Sequence, residues 1–329
     1  MVTAVGSGDT SLATSAARGV DARDVERALH AALELGVTLV EVRDEPDTER
    51  LVGDTVRALR LRDRVVVATR VPVLAERPGA PRRDVLPERL PAGYVQERVE
   101  ASLRATRLDA IPLVQLPVRG RWRSSPAWPE LVGTTARLVR EGKVLAWGAI
   151  ADGVDDETAA PLAEPWLASF AVPLSLCARD AEPLLAAAAE RQLAVLARQP
   201  LAGGALAGEL GPGKKLAPRD DRQAIDARTL ERIAVETARL APLVRDVPPA
   251  ARSCDAAKEV LEAGRRPEQL EATTLGELAL RYVIDRGAIA LPRLHRADHV
   301  TTAVAVAAAP PLSPELVRRI VDEETDAPR

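Results

Sequence analysis

Short runs of β-branched and other apolar residues alternate along this chain with longer stretches in which apolar side chains return every three or four positions. The short runs read as strands, at 3–6, 37–42, 65–69, 111–116, 144–149, 170–174, 194–197 and 288–291. The longer ones read as amphipathic helices. ARDVERALHAALELG, residues 22–36, stops on a glycine as helices often do. GYVQERVEASLRAT, PAWPELVGTTARLVREG, AEPLLAAAAERQ and LGELALRYVIDRG carry the same period. Eight strands, each followed by a helix, is the arithmetic of an α/β chain closed into a (β/α)8 TIM barrel, whose chemistry sits at the carboxyl ends of the strands.

The alternation breaks once. Residues 203–274, between the seventh and eighth strands, are first rich in Gly, Pro and Lys and then helical, with helices predicted at 223–246 and 253–263. An insertion of this length after a barrel strand reads as a lid or recognition element inside one domain spanning 1–329. The tail LSPELVRRIVDEE reads as a closing helix, with Ser313 or its neighbour as cap and Pro314 in its first turn.

Composition narrows the class. Apolar content of 47% supplies a core, and a net charge of −3 offers no basic excess for a general nucleic-acid binder. No long uninterrupted apolar run and no signal-like amino terminus appear, so neither a membrane span nor export is expected, and cytoplasm is the default. Cys177 and Cys254 lie far apart without metal-ligand neighbours and read as idle thiols, with no metal. The rings that might line a pocket are few: one Phe, two Tyr and four Trp.

Six ordered segments carry a resemblance. GVTLVEVRDEPDTERLVG, RDRVVVATRV, YVQERVEASLRATRLDAIPLVQLP, REGKVLAWGAI, LARQPLAGGALAGE and LALRYVIDRGAIALPRLHRADHV resemble, in order and at family spacing, segments of the aldo-keto reductases. The resemblance implies the barrel, and it implies NADP(H)-linked carbonyl reduction by a catalytic Asp, Tyr, Lys and His. The positions that match those four are Glu41, Pro46, Arg70 and Pro117. Proline has no proton to give, and Arg70 keeps its charge at any working pH, so the usual general acid is missing. Where the family holds the nicotinamide amide, this chain has Ala149, Ile150 and Ala151, then about Ala171, then Arg198 and Gln199. The phosphate side is better kept: Pro200, Leu201, Gly203 and Gly204 match the family's phosphate loop. Arg293, His295 and Arg296 fall where the family grips a 2′-phosphate, while Thr302 and Ala303 replace its adenine-side pair. NADP(H) is therefore implied as a cofactor, held more weakly than in an active reductase.

The altered mouth has two readings. Glu41 and Arg70 are either a retained ion pair without turnover, or a general base beside Arg70 and Arg198 that bind the carboxylate or phosphate of a substrate. Trp122 and Trp128, among Arg119, Arg121 and Arg123, either stack on a ligand, anchor a protein partner, or cover a loop. Tyr94, Tyr282 and His30 read as structural, and residues 77–91 as irregular surface. The leading expectation is a pseudoenzyme with a binding, accessory or regulatory role, its partner a protein or a small anion at the barrel mouth. The alternatives are an NADP-dependent oxidoreductase with a rebuilt site, and a non-redox lyase or isomerase working through Glu41.

Overall fold

The structure, a computed structural model, describes residues 3–75, 83–244 and 274–322. Eight parallel strands run in the order of the chain: β1 (Ser7–Thr10), β2 (Leu39–Val42), β3 (Val66–Arg70), β4 (Ile111–Leu116), β5 (Val144–Ile150), β6 (Leu167–Pro173), β7 (Ala194–Arg198) and β8 (Ile289–Leu291). The ring closes through the residues beside β1. Val5 bridges Ala290, and the amides of Gly6 and Gly8 donate to the carbonyls of Ala290 (2.9 Å) and Pro292 (2.8 Å). This is the (β/α)8 barrel that the alternation predicts.

The helices wrap the outside: α1 (Leu12–Ala17), α2 (Ala22–Glu34), α3 (Pro46–Ala58), the short α4 (Leu86–Arg89), α5 (Ala92–Thr106), α6 (Trp128–Arg140), α7 (Glu182–Glu190) and α8 (Ala227–Leu240). Three more follow: α9 (Leu275–Asp285), α10 (Ala297–Ala308) and α11 (Pro314–Asp322). Local chemistry sets their ends. Asp21 caps α2 by accepting from the Asp24 amide, and Thr274 with Glu277 forms a capping box at the start of α9. Ser313 accepts from the Leu316 amide at the start of α11, as its sequence suggests. No described helix is long and apolar enough to cross a membrane.

Inside the barrel, side chains alternate in and out with period two. Leu39, Ala68, Leu113, Ile150, Ala171, Leu196 and Leu291 pack together as the inner core. The outer face of the strands and the inner stripes of the helices form a larger core around Trp122, Trp147, Phe170 and Tyr282. The residues that continue the inward phase towards the carboxyl ends are Glu41, Arg70, Arg198 and Arg293, and these form the mouth.

Three expectations need correction. The first strand is Ser7–Thr10, not 3–6: the apolar run at 3–6 makes one bridge, while the strand proper contains Gly8. A Cβ on Gly8 would lie 2.2 Å from the Leu291 carbonyl oxygen, so this close seam of the barrel demands the residue that carries no hydrophobic signal. Between β5 and β6 there is no α-helix, only a 3-10 turn at Ala160–Ala163. The segment 77–91 is not mere surface over its described part, because Leu86 and Leu90 are fully buried. Of the 203–274 insertion, α8 realises the first predicted helix. The second, at 253–263, and Cys254 lie outside the described residues.

Candidate functional site at the barrel mouth

Asp9, which sequence reading passed over, sits at the centre of the mouth. In a regular strand Asp9 would face away from Gly8. Here β1 gains one residue against β2 between Ser7 and Thr10, and Asp9 takes a left-handed φ of 47°. That bulge turns its side chain into the mouth. Three guanidiniums from three strand ends then converge on one carboxylate. Arg43, just past β2, binds it side-on, with Nε to Oδ1 at 3.0 Å and Nη2 to Oδ2 at 3.2 Å. Arg70, at the end of β3, reaches Oδ1 at 2.6 Å, and Arg293, past β8, bonds to Oδ2. Burial alone would raise the Asp9 carboxyl, but the charges of Arg293, Arg70 and Arg43 outweigh it and hold the pKa at about 2.

Glu41 and Arg70 do not form the ion pair expected of them. Arg70 turns to Asp9, and Glu41 Oε2 accepts the Asp9 amide at 2.9 Å. Glu41 is 1% exposed, and its other oxygen has no hydrogen-bond partner. The pair is broken because an unforeseen carboxylate stands closer to the guanidinium. Glu41 thus braces the bulge that presents Asp9.

The two prolines fit structurally where a catalytic side chain is implied by resemblance. Pro46 opens α3 at its first helical position, where a preset φ suits the turn and no amide proton is needed. Pro117 follows β4 and lines a separate small cavity of about 90 Å³ with Arg119 and Asp152. The two tyrosines are elsewhere. Tyr282 is buried in α9 and donates to Glu182, and Tyr94 lies in the first turn of α5. Glu49, also missed from sequence, is buried beneath α3, where it accepts from Thr69 (2.8 Å) and Ser102 (2.6 Å) and ties α3 to β3 and α5.

A cavity of about 750 Å³ opens beside Asp9 and Glu41 and runs past Leu201, Gly203 and Gly204 to His295, Thr302 and Ala303. Of the predicted phosphate positions, Leu201, Gly203, Gly204, Arg293 and His295 line it, and Arg296 does not. Arg198 also lines it, with Nη1 on the Ala151 carbonyl (2.8 Å) and on Asp152 (2.9 Å). The segment around 220 is tied across the opening: Arg18 holds Asp221 through two bonds, at 2.8 and 3.0 Å. Arg222, held by the buried Asp220, donates to the Gly203 carbonyl at 3.2 Å. His295 is buried with its ring edge-on to His299, 5.0 Å between centroids. Burial, reinforced by the charges of His299 and Arg293, lowers its pKa to about 3, so it is neutral at physiological pH. Arg296 points outward to Asp298 at 3.4 Å in an exposed pair.

Trp122 is a core residue, not a surface platform. It is 1% exposed, and its indole donates to the Asp84 carbonyl at 3.3 Å. A protein partner or stacked ligand has no access to it. Trp128 is partly buried at the start of α6, 6.3 Å from the ring of Trp166.

Several groups that would hold a dinucleotide are already engaged or lack polar atoms, although Ser175, Gln199 and Thr302 also line the cavity. The amides of Ala202, Gly204, Ala205 and Leu206 donate to carbonyls within their own loop, and Arg293 is engaged by Asp9. A nicotinamide amide needs a donor and an acceptor. The Ala149 and Ile150 side chains offer neither, and Glu41 and Asp9 are carboxylates.

A parallel eight-stranded barrel with its polar residues gathered at the carboxyl ends of the strands defines the class: a TIM barrel with a mouth-side ligand cavity. The chain belongs to the aldo/keto reductase family, whose sequence profile matches residues 4–323. No curated protein matches it. Among solved structures it is similar to an aldo/keto reductase from Klebsiella pneumoniae in complex with NADP and acetate, at 22% identity, covering 100% of this chain and 93% of that one, TM-score 0.62. The glycerol dehydrogenase from Gluconobacter oxydans shares 20% identity over 100% and 94% of the two chains, TM-score 0.69. The holo form of an aldo-keto reductase from Bacillus halodurans shares 20% over 98% and 92%, TM-score 0.62. At these identities the likeness is one of fold.

Proposed function

We propose that this barrel has given up the family's proton relay and acts as a binding protein, with an anionic ligand held at its mouth. The observation that carries the reading is the Asp9 carboxylate gripped by Arg43, Arg70 and Arg293, at the end of the barrel where reduction needs a phenol and an amine. A guanidinium stays charged at working pH and does not relay a proton, and Asp9, held at about 2, is no acid at neutral pH. The two prolines offer no side-chain proton at all. Mixing purified protein with NADPH and a panel of aldehydes and quinones tests the reading: absorbance at the NADPH band should fall no faster than in buffer. Clear turnover with any of them overturns it.

A second reading, an NADP-linked oxidoreductase with a rebuilt site, has one observation in its favour. The cavity runs unbroken from Glu41 to Thr302 and Ala303, the span a dinucleotide would cover by the family resemblance. Relatives of the same fold from Klebsiella pneumoniae are solved with NADP or NADPH. Calorimetric titration of NADPH separates the readings, since tight binding supports the second and its absence removes it.

A further inference from the structure

We propose that Arg43, Arg70 and Arg293 form an anion site that Asp9 occupies from within, and that a small dianion, a phosphate monoester or a dicarboxylate, binds there by displacing the Asp9 side chain. This deepens the reading of the mouth as a binding site and rests on it. Three guanidiniums from three strand ends already converge on the single Asp9 carboxylate. A monocarboxylate offers them nothing that the tethered Asp9 does not already supply, whereas a dianion brings more acceptor oxygens than Asp9 has.

Hydrogen-bond capacity points the same way. Arg293 keeps one nitrogen, Nη1, buried and without a partner while its Nη2 is on Asp9. A carboxylate has two oxygens, and Asp9 already takes four guanidinium N–H groups on them. A phosphoryl group or a second carboxylate brings further acceptor oxygens to the donor left over. Room for the exchange lies next to it: Asp9, Arg43 and Arg293 all line the 750 Å³ cavity, so an incoming anion reaches the guanidiniums from that side.

The test is titration of the full-length protein with inorganic phosphate, malonate and acetate in chloride buffer near pH 7.5, followed by calorimetry. Phosphate or malonate should bind weakly to the wild type and acetate not at all; the phosphate and malonate arms tell which dianion chemistry the site prefers. Asp9→Asn should bind the preferred dianion about ten-fold or more tightly, because the internal competitor is gone. Arg43→Gln should lose binding in either background. Circular dichroism checks that each variant is folded, and if Asp9→Asn is not, wild type against Arg43→Gln reads the same site. No gain in a folded Asp9→Asn, equal binding of acetate, or binding indifferent to Arg43 overturns the proposal. NADPH turnover would overturn the proposed loss of reduction without touching this titration, so the two failures are distinguishable.

Discussion

Replacing Asp9 by Asn removes the one charge that three guanidiniums share while keeping a side chain that tolerates the left-handed backbone. The magnitude follows from linkage. The Asp9 carboxyl falls from its ordinary 3.8 to about 2 in the fold, and at about 1.36 kcal/mol per pH unit that difference of roughly 1.8 is worth about 2.5 kcal/mol. The group's folded pKa lies below its unfolded one, so the contribution is complete above about pH 4 and is lost as pH falls through about 2. About half of it remains at pH 3. Urea unfolding of wild type and Asp9→Asn at pH 7 and at pH 3 should therefore show a wild-type advantage of about 2–3 kcal/mol that shrinks by about half. Equal stability at pH 7 would refute the cluster as a source of stability. A difference unchanged at pH 3 would show that the charge on Asp9 is not its origin.

Further expectations rest on other parts of the fold. Burial raises the Glu49 carboxyl despite its bonds to Ser102 and Thr69, so the contribution favours the protonated form and is lost as pH rises through the folded pKa. Glu49→Gln should thus hold stability at pH 7, whereas Glu49→Ala, which orphans Thr69 and Ser102, should lose about 2–3 kcal/mol in denaturant titration; equal losses would count against this. Gly8→Ala places a methyl group 2.2 Å from the Leu291 carbonyl oxygen, and a loss of about 3 kcal/mol or failure to fold is expected; a melting temperature like wild type would contradict the seam. Burial, with the Glu236 charge, pushes the Cys177 thiol up to about 11, leaving about one part in a thousand as thiolate at pH 8. In a Cys254→Ser background, a disulfide reagent should label Cys177 only after urea is added, and fast native labelling would disprove its burial.

The barrel was legible because its signal is repeated. β4 (Ile111–Leu116) has the predicted limits, and β2, β3, β5, β7 and β8 lie within a residue or two of theirs. β1 was misplaced since its defining residue, Gly8, is chosen for backbone contact and adds nothing to a hydrophobic pattern. At the mouth, Glu41, Arg70, Arg198 and Arg293 could be placed from strand phase and resemblance. Their partners could not. Asp9 reads as an ordinary loop carboxylate until the bulge turns it inward, and Trp122, flanked by three arginines, reads as a residue of the mouth loop until the core closes over it.

What this sequence determined by itself is periodic and local: which segments are strands and helices, where they are capped, and that no tyrosine or lysine stands at the matched catalytic positions. Those follow from side-chain chemistry and spacing within a few residues of one another. The pairing of charges belongs to the tertiary structure alone. Asp9 is separated from Arg43, Arg70 and Arg293 by 34, 61 and 284 positions. A carboxylate meets whichever guanidinium the closed ring brings within about 3 Å, and no local pattern encodes that distance. Closure of β8 onto β1 sets Arg293 beside Asp9, and one extra residue in β1 brings Asp9 between Arg43, Arg70 and Arg293 in place of the Glu41–Arg70 pair that the sequence suggests.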